Sequence, residues 1–192
     1  MADDRTERIL DAAYACFARH GVRRTTMDDI AAAAEMSRPA VYVYVRNKDD
    51  AFRRLATRLF DRALAQARTA ATAPVDAPLA ERLHAVLAVK LELTLQLWRD
   101  SPHAAELLDE GARLSGDLVE RFTDALRELA TEVVAVAQAS GEVALHSLPP
   151  AEVVDIALAL TRSLEADLTD PDLPRRRLRR GIDLLVAGLR CG

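Results

Sequence analysis

A chain of 192 residues, half of them hydrophobic, has ample material for a substantial core in one domain or two. Aromatics make up only 4% while Ala, Leu and Arg abound, so helix formers dominate and an all-α fold is expected. The formal net charge of −4 argues against a protein held to nucleic acid by bulk electrostatics. No uncharged run approaches the roughly 18 residues that span a membrane, and the acidic start MADDRTER is unlike a secretory signal, so no membrane association and a cytoplasmic location are expected.

Residues 6–20 read as a first helix, with Ile9, Ala12, Ala13, Cys16 and Phe17 on one apolar face and Gly21 as the C-terminal stop. Asp3, Asp4, Glu7 and Asp11 suit the positive end of its dipole, and His20 suits the other end. Thr26 and Asp29 stand at capping-box spacing at the head of a short second helix. Ser37 offers another cap, with Pro39 in the first turn of a third helix, where a missing N–H costs nothing. The two short helices are expected to bury Ile30, Ala34, Met36, Val41 and Tyr44, with small Ala31 at their closest crossing, the pattern of a helix-turn-helix. The other face of the third helix carries Arg38, Ala40, Tyr42 and Val43, followed by Arg46 and Lys48. Residues 1–50 hold eight Arg or Lys against nine Asp or Glu, so placement carries the charge argument: from Arg38 through Lys48 there are three basic residues and no acidic one.

A helix from about residue 48 or 49 to 71 carries Phe52, Leu55, Leu59, Ala63 and Ala67 at helical intervals, and Thr72 to Pro78, with Pro74 and Pro78, is the clearest break. Residues 79–99 form a helix with Leu83, Leu87, Leu91, Leu95 and Trp98, apolar enough all round to be expected inside. A helical piece from Ser101-Pro102 to about Glu110, a stretch bracketed by Gly111 and Gly116 that is assigned to neither neighbour, and a long helix over 117–139 stopped by Gly141 come next. The last two helices are expected over 150–168, with the seam Val153, Ala157, Leu160, Leu164 and Leu168, and over 174–189, with Leu178, Ile182, Leu185 and Leu189. Arg175, Arg176, Arg177, Arg179 and Arg180 read as a solvated or ion-paired helix face. Cys16 reads as a core residue and Cys191 as a terminal one. Two such cysteines make no redox or metal motif, and His84, His103 and His146 lack ligand spacing, so neither metal nor cofactor is expected.

Ile9 to Ala13, Phe17, Gly21, Thr25-Thr26, Ile30-Ala31, Ser37, Tyr42, Tyr44 and Lys48-Asp49 occur in an order that resembles the DNA-binding domain of the TetR family of bacterial transcriptional repressors. There are two departures. Glu35 stands where the family usually places Gly, so it either accepts a strained backbone or alters the turn, and Val45 stands where Phe is more common. The resemblance implies a three-helix helix-turn-helix domain, residues 1–50, joined rigidly through the fourth helix to a larger helical effector-binding and dimerisation domain, residues 51–192. It implies phosphate contacts from Thr26, Tyr42 and Lys48, with Ser37 adding a contact or serving as a cap. It implies base contacts from Arg38, Ala40, Val43 and Tyr44, the last being equally a buried interior residue.

The resemblance further implies a homodimer through the last two helices, presenting two reading helices about 34 Å apart, or another helical repeat, to a palindromic operator. A small-molecule effector is expected among the fourth to seventh helices. Leu91, Thr94, Leu95, Trp98 and Phe122 are candidates to line its pocket, although core packing explains each taken singly. The expected function is therefore a DNA-binding regulator that represses transcription and is released by its effector. The alternatives are a helix-turn-helix regulator controlled by a protein partner and a helical enzyme. Against an enzyme stand the lack of a Gly-rich phosphate loop, a nucleophile motif or an obvious carboxylate pair; Asp109-Glu110, Glu165 and Asp167 read as solvated helix residues.

Overall fold

Long runs of good helix formers, stopped by Gly, Pro and capping residues, give a computed structural model with helices and no strand among the described residues, which are 2–72, 77–165, 168, 170 and 172–190. The elements are α1 (Ala2–His20), α2 (Met27–Ala33), α3 (Arg38–Tyr42), α4 (Lys48–Ala71), α5 (Leu79–Asp100), α6 (Ala104–Ala139), α7 (Pro150–Leu164) and α8 (Asp172–Arg190). Among the described residues no helix is long and apolar enough to cross a membrane. Pro74, Asp167 and Cys191 lie outside the described residues. The chain divides into two compact units, residues 1–61 with 96–120 and residues 62–95 with 121–192, so α4, α5 and α6 each give a segment to both.

In the first unit the apolar face of α1 joins Ile30 and Ala31 of α2, Val41 of α3, Phe52 and Leu55 of α4 and Leu107 of α6 in one buried cluster. The Phe17 and Phe52 rings meet at 5.6 Å, tilted by 57°, a favourable aromatic geometry. Gly21 ends α1 at φ +79°, a conformation that a side chain strains, and a Cβ there would also run into the Glu106 carboxylate. That carboxylate instead accepts the Arg23 N–H at 2.8 Å, while the Arg23 side chain donates to Glu110 at 3.1 Å. Glu110 is buried rather than solvated, a correction to the sequence reading; Arg113 first and Arg23 second hold its carboxyl below the usual range.

The stretch between Gly111 and Gly116 is helical apart from one kink. α6 runs through both glycines and leaves helical geometry only at Ser115 (φ −140°, ψ 24°). Beside this kink the Leu114 carbonyl accepts Arg53 Nη1 at 2.8 Å, and the same guanidinium takes both oxygens of Asp117 at 2.6 and 2.7 Å. A side chain from α4 thus supplies hydrogen bonding where the helical ladder is interrupted.

In the second unit α5 buries one side rather than its whole circumference. Leu79, Leu83, Val86, Leu87, Leu91 and Leu95 form that side. Charged residues recur between the leucines, and the last turn, which belongs to the first unit, leaves Gln96, Trp98 and Arg99 exposed. The free N–H of Leu79 at the start of α5 donates to Glu142 Oε1 at 2.6 Å. Glu142 also accepts Arg82 Nη2 at 2.9 Å and Arg190 Nη2 at 3.0 Å, so one carboxylate behind Gly141 serves both ends of α5's first turn and the end of α8. α7 stops at Leu164, four residues before the expected end, and Leu168 is not helical. Glu165 turns to α5, where Lys90 Nζ donates to both of its oxygens at 2.6 Å; it too is paired rather than solvated. α8 lies close on α7 because Gly181 has no side chain to collide with Leu160.

Burial alone would raise the pKa of Glu142, but the Leu79 N–H, Arg190 and Arg82 outweigh it and bring the group below its ordinary value of 4.5. A carboxyl depressed in the folded state contributes stability above its unfolded pKa, and that contribution is lost as pH falls through the folded one. Glu142→Ala leaves Arg82, 5% exposed, without its carboxylate, and is expected to lower unfolding free energy by on the order of 2 kcal/mol at pH 7. Chemical denaturation should show the gap between wild type and variant closing below pH 4.5.

Candidate nucleic-acid interface

Local sequence builds the reading helix. Thr26 takes an extended backbone (φ −110°, ψ 165°) and caps α2: its hydroxyl accepts the Asp29 N–H at 3.2 Å, while Asp29 Oδ2 accepts the Thr26 N–H at 2.8 Å and the Thr26 hydroxyl at 2.7 Å. The Thr26 hydroxyl, followed by its N–H, holds the Asp29 carboxyl below its usual range. A phosphate at Thr26 therefore has to compete with Asp29 for that hydroxyl. At the other end of α2, the Met36 N–H reaches the Ala31 carbonyl at 3.0 Å and the Glu35 N–H reaches Ala32 at 3.1 Å. This is a Schellman closure with Glu35 in the left-handed position at φ +53°. Of the two possibilities open at Glu35, the chain takes the strained backbone and keeps the turn.

Ser37 then caps α3, its Oγ accepting the Ala40 N–H at 3.3 Å, with Pro39 in the first turn. Val41 is wholly buried beneath. Its neighbours consequently face outward: Tyr42 is 41% and Val43 77% exposed, and Arg38 is exposed beside them. Ala40 is half-buried at the flank of this face. Tyr44 is half-buried against the core of the first unit, and its hydroxyl accepts Arg5 Nη1 at 3.4 Å, so it serves the interior while its polar tip stays at the surface.

Arg38 is not idle. Its Nη1 donates to Asp28 at 2.9 and 3.3 Å, its Nη2 donates to the Tyr42 hydroxyl at 3.3 Å, and its guanidinium lies 5.6 Å from the Tyr42 ring centre. Lys48 Nζ donates to the Arg23 carbonyl at 3.1 Å. Asn47 caps α4 by accepting the Asp50 N–H at 2.8 Å, and Asp50 accepts the Arg46 N–H at 2.9 Å, which fixes the exit from α3. Asp28, Arg5 and Asn47 were not among the residues singled out from sequence. An Asn before a helical run is a readable cap signal, but nothing in the spacing of Arg5 and Tyr44, or of Asp28 and Arg38, announces their contact.

The candidate effector residues are placed less uniformly. Leu91, Leu95 and Phe122 are buried in the second unit, and Thr94 is half-buried there, its hydroxyl 3.4 Å from Glu165 Oε1. Trp98 belongs to the first unit and is 45% exposed. Leu91 also floors a surface groove between α5 and α8 whose lining includes none of the other four.

Short capped helices at this spacing, the first packed inward and the second open on its outer side, define a helix-turn-helix domain of the kind that reads duplex DNA. Residues 9–55 match the family model described as bacterial regulatory proteins of the tetR family. Over these residues the chain is similar to the DNA-binding domain of that family. Over 46 residues it is 44% identical to the protein named as the probable acrEF/envCD operon repressor of Escherichia coli K12, a match covering 24% of this chain and 21% of that one. The chain thus spans about a fifth of the length of that curated relative. Along nearly its whole length it has the fold of a TetR transcription regulator from Haloarcula marismortui (TM-score 0.78, 19% identity, 97% of this chain and 98% of that one). It also has the fold of SmeT in complex with triclosan (TM-score 0.75, 22% identity, 98% and 93%); SmeT is the repressor of the Stenotrophomonas maltophilia multidrug efflux pump SmeDEF.

Left-handed backbone costs a residue with a Cβ about 1 kcal/mol. Glu35→Gly is expected to raise unfolding free energy by roughly that amount, and Glu35→Val to lower it, because a β-branched side chain is worse placed there. Thermal and urea unfolding of the pair check the sign.

Proposed function

We propose that the chain is a transcription regulator that binds a palindromic operator as a homodimer, represses by occupying it, and leaves it when a small-molecule effector binds. In this reading residues 1–50 form the DNA-binding part and 51–192 the effector-binding and dimerisation part. The observation that carries it is the outer side of α3, where Arg38, Tyr42 and Val43 are exposed on a helix whose inner side is held by caps, turn and core. Arg38 takes a guanine, Ala40 meets a thymine methyl, and Val43 and Tyr44 approach base edges, while Thr26, Ser37, Tyr42 and Lys48 meet phosphates. Specific binding replaces Asp28 at the Arg38 guanidinium.

The repressor direction is supported by the N-terminal identity with a protein named as an operon repressor. The effector is supported by SmeT, whose complex with triclosan has this fold. Leu91, Thr94, Leu95 and Phe122, all of the second unit, remain the candidates around it, and the effector acts only through its difference in affinity between DNA-competent and DNA-incompetent shapes. For the dimer, α7 and α8 leave Ile156 50% and Leu184 74% exposed, apolar surface that a second copy covers by two-fold packing.

Selection from a random duplex-DNA pool is expected to enrich a palindrome; failure to enrich any sequence with the protein folded and dimeric would overturn the reading. On the selected operator, Tyr42→Ala and Lys48→Ala are expected to weaken binding without changing sequence preference, with the salt slope reduced by about 1 for Lys48→Ala. Arg38→Ala should change preference at one base pair per half-site by roughly tenfold or more.

Leu184→Glu places a charge in the proposed dimer seam. Sedimentation should then show a monomer with unchanged helicity, and operator affinity should fall with it.

A further inference from the structure

The five arginines at the head of α8 do not share one role. Arg175 is tied down: it donates to both oxygens of Glu92 at 2.6 Å and to Asp172 at 3.2 Å. Arg176 is paired with Asp170 at 3.2 Å. Arg179 and Arg180 take no ion pair among the described residues. Helical spacing sets Arg176, Arg179 and Arg180 along one flank of α8, and there they line a groove of about 340 Å³ facing α5.

The floor of this groove is apolar. Leu91 and Leu178 are buried beneath it, and Ala88 is small enough to leave the space open. His84 stands at its edge, with a pKa lowered by burial and then by Arg179 against the opposing pull of Asp183 and Glu92. Its imidazole is therefore neutral near pH 7 and adds no charge. With Glu92 neutralised by Arg175, the groove keeps the surplus positive charge of Arg179 and Arg180 on a chain whose net charge is −4.

We propose that the groove between α5 and α8 binds a small amphipathic carboxylate, its apolar body over Ala88, Leu91 and Leu178 and its acid against Arg179 and Arg180. Two unpaired guanidiniums select an anion, and planar carboxylate matches their fork geometry. The apolar floor rewards a hydrocarbon body that a bare anion lacks. The volume lies at the low end for small-molecule sites, about 300 to 1,000 Å³, which suits one small molecule and not a helix or strand of a protein partner. The site concerns the second unit alone and does not rest on operator binding.

The test is titration of the isotope-labelled full chain, without DNA, with octanoate, octanol and acetate, read by amide chemical shifts. Octanoate should give saturable shifts centred on residues 84–92 and 175–180, with affinity at least about tenfold above octanol and above acetate. Arg179→Ala with Arg180→Ala should weaken octanoate by about tenfold or more and leave octanol unchanged. Arg177→Ala, outside the lining, should change neither. Ala88→Leu, which fills the groove, should remove octanoate binding with the melting transition retained. Octanol or acetate as tight as octanoate, saturable shifts centred elsewhere, no saturable shift at all, or indifference to the double substitution would each overturn the assignment.

Discussion

Helices of seven and five residues cannot sustain themselves in water, because the cost of nucleating a turn is not recovered over so few hydrogen bonds. The candidate reading surface depends on meeting that constraint from outside the helices. The Thr26–Asp29 box starts α2, the Schellman closure ends it, Ser37 starts α3, and Ile30, Ala31 and Val41 bury the inner sides in the core of the first unit. Orientation comes from the same contacts. With Val41 locked inside, Arg38, Tyr42 and Val43 have only the outside left to them. The left-handed backbone at Glu35 is where the arrangement is most strained, and the hydrogen bonds on either side hold it in place.

The first fifty residues are close to neutral, and much of their positive charge is engaged within the protein. Arg8 donates to the Ala34 carbonyl, Arg38 to Asp28 and Lys48 to the Arg23 carbonyl. In the proposed reading, DNA binding on this surface is an exchange of acceptors, not the covering of bare cations. A duplex that offers Arg38 no matched base edge leaves it with Asp28, so the ion pair favours discrimination over non-specific adhesion.

The second unit uses charge differently. Glu142 with Arg82 and Arg190, Glu165 with Lys90, and Glu92 with Arg175 each join segments far apart in the chain. Such pairs gain little stability once desolvation is counted, but breaking one leaves a costly unpaired group, so they set where helices start and stop. The early end of α7 is an instance, since Glu165 leaves the helix where Lys90 receives it. The outer apolar residues of α7 and α8 and the cationic groove beside α5 are the surfaces this internal pairing leaves over.

The features that can be read from the chain alone arise from residues within about a turn of one another: the capping box at Thr26, the cap at Ser37, the stops at Gly21 and Gly141, and the apolar faces of α1 and α4. The exposed face of α3 was legible for the same reason, because helical periodicity assigns the outer side once the inner side is known. Tertiary structure alone decided that Glu35 keeps the turn at the expense of its backbone, that Glu110 is buried, and that α6 continues through two glycines with Arg53 at its kink. It also decided that Asp28 holds Arg38 and that Glu142 meets the first N–H of α5. These depend on which cation or free backbone group each carboxylate or carbonyl meets, and that follows from where packed helices bring distant residues together, a distance that composition and periodicity do not encode.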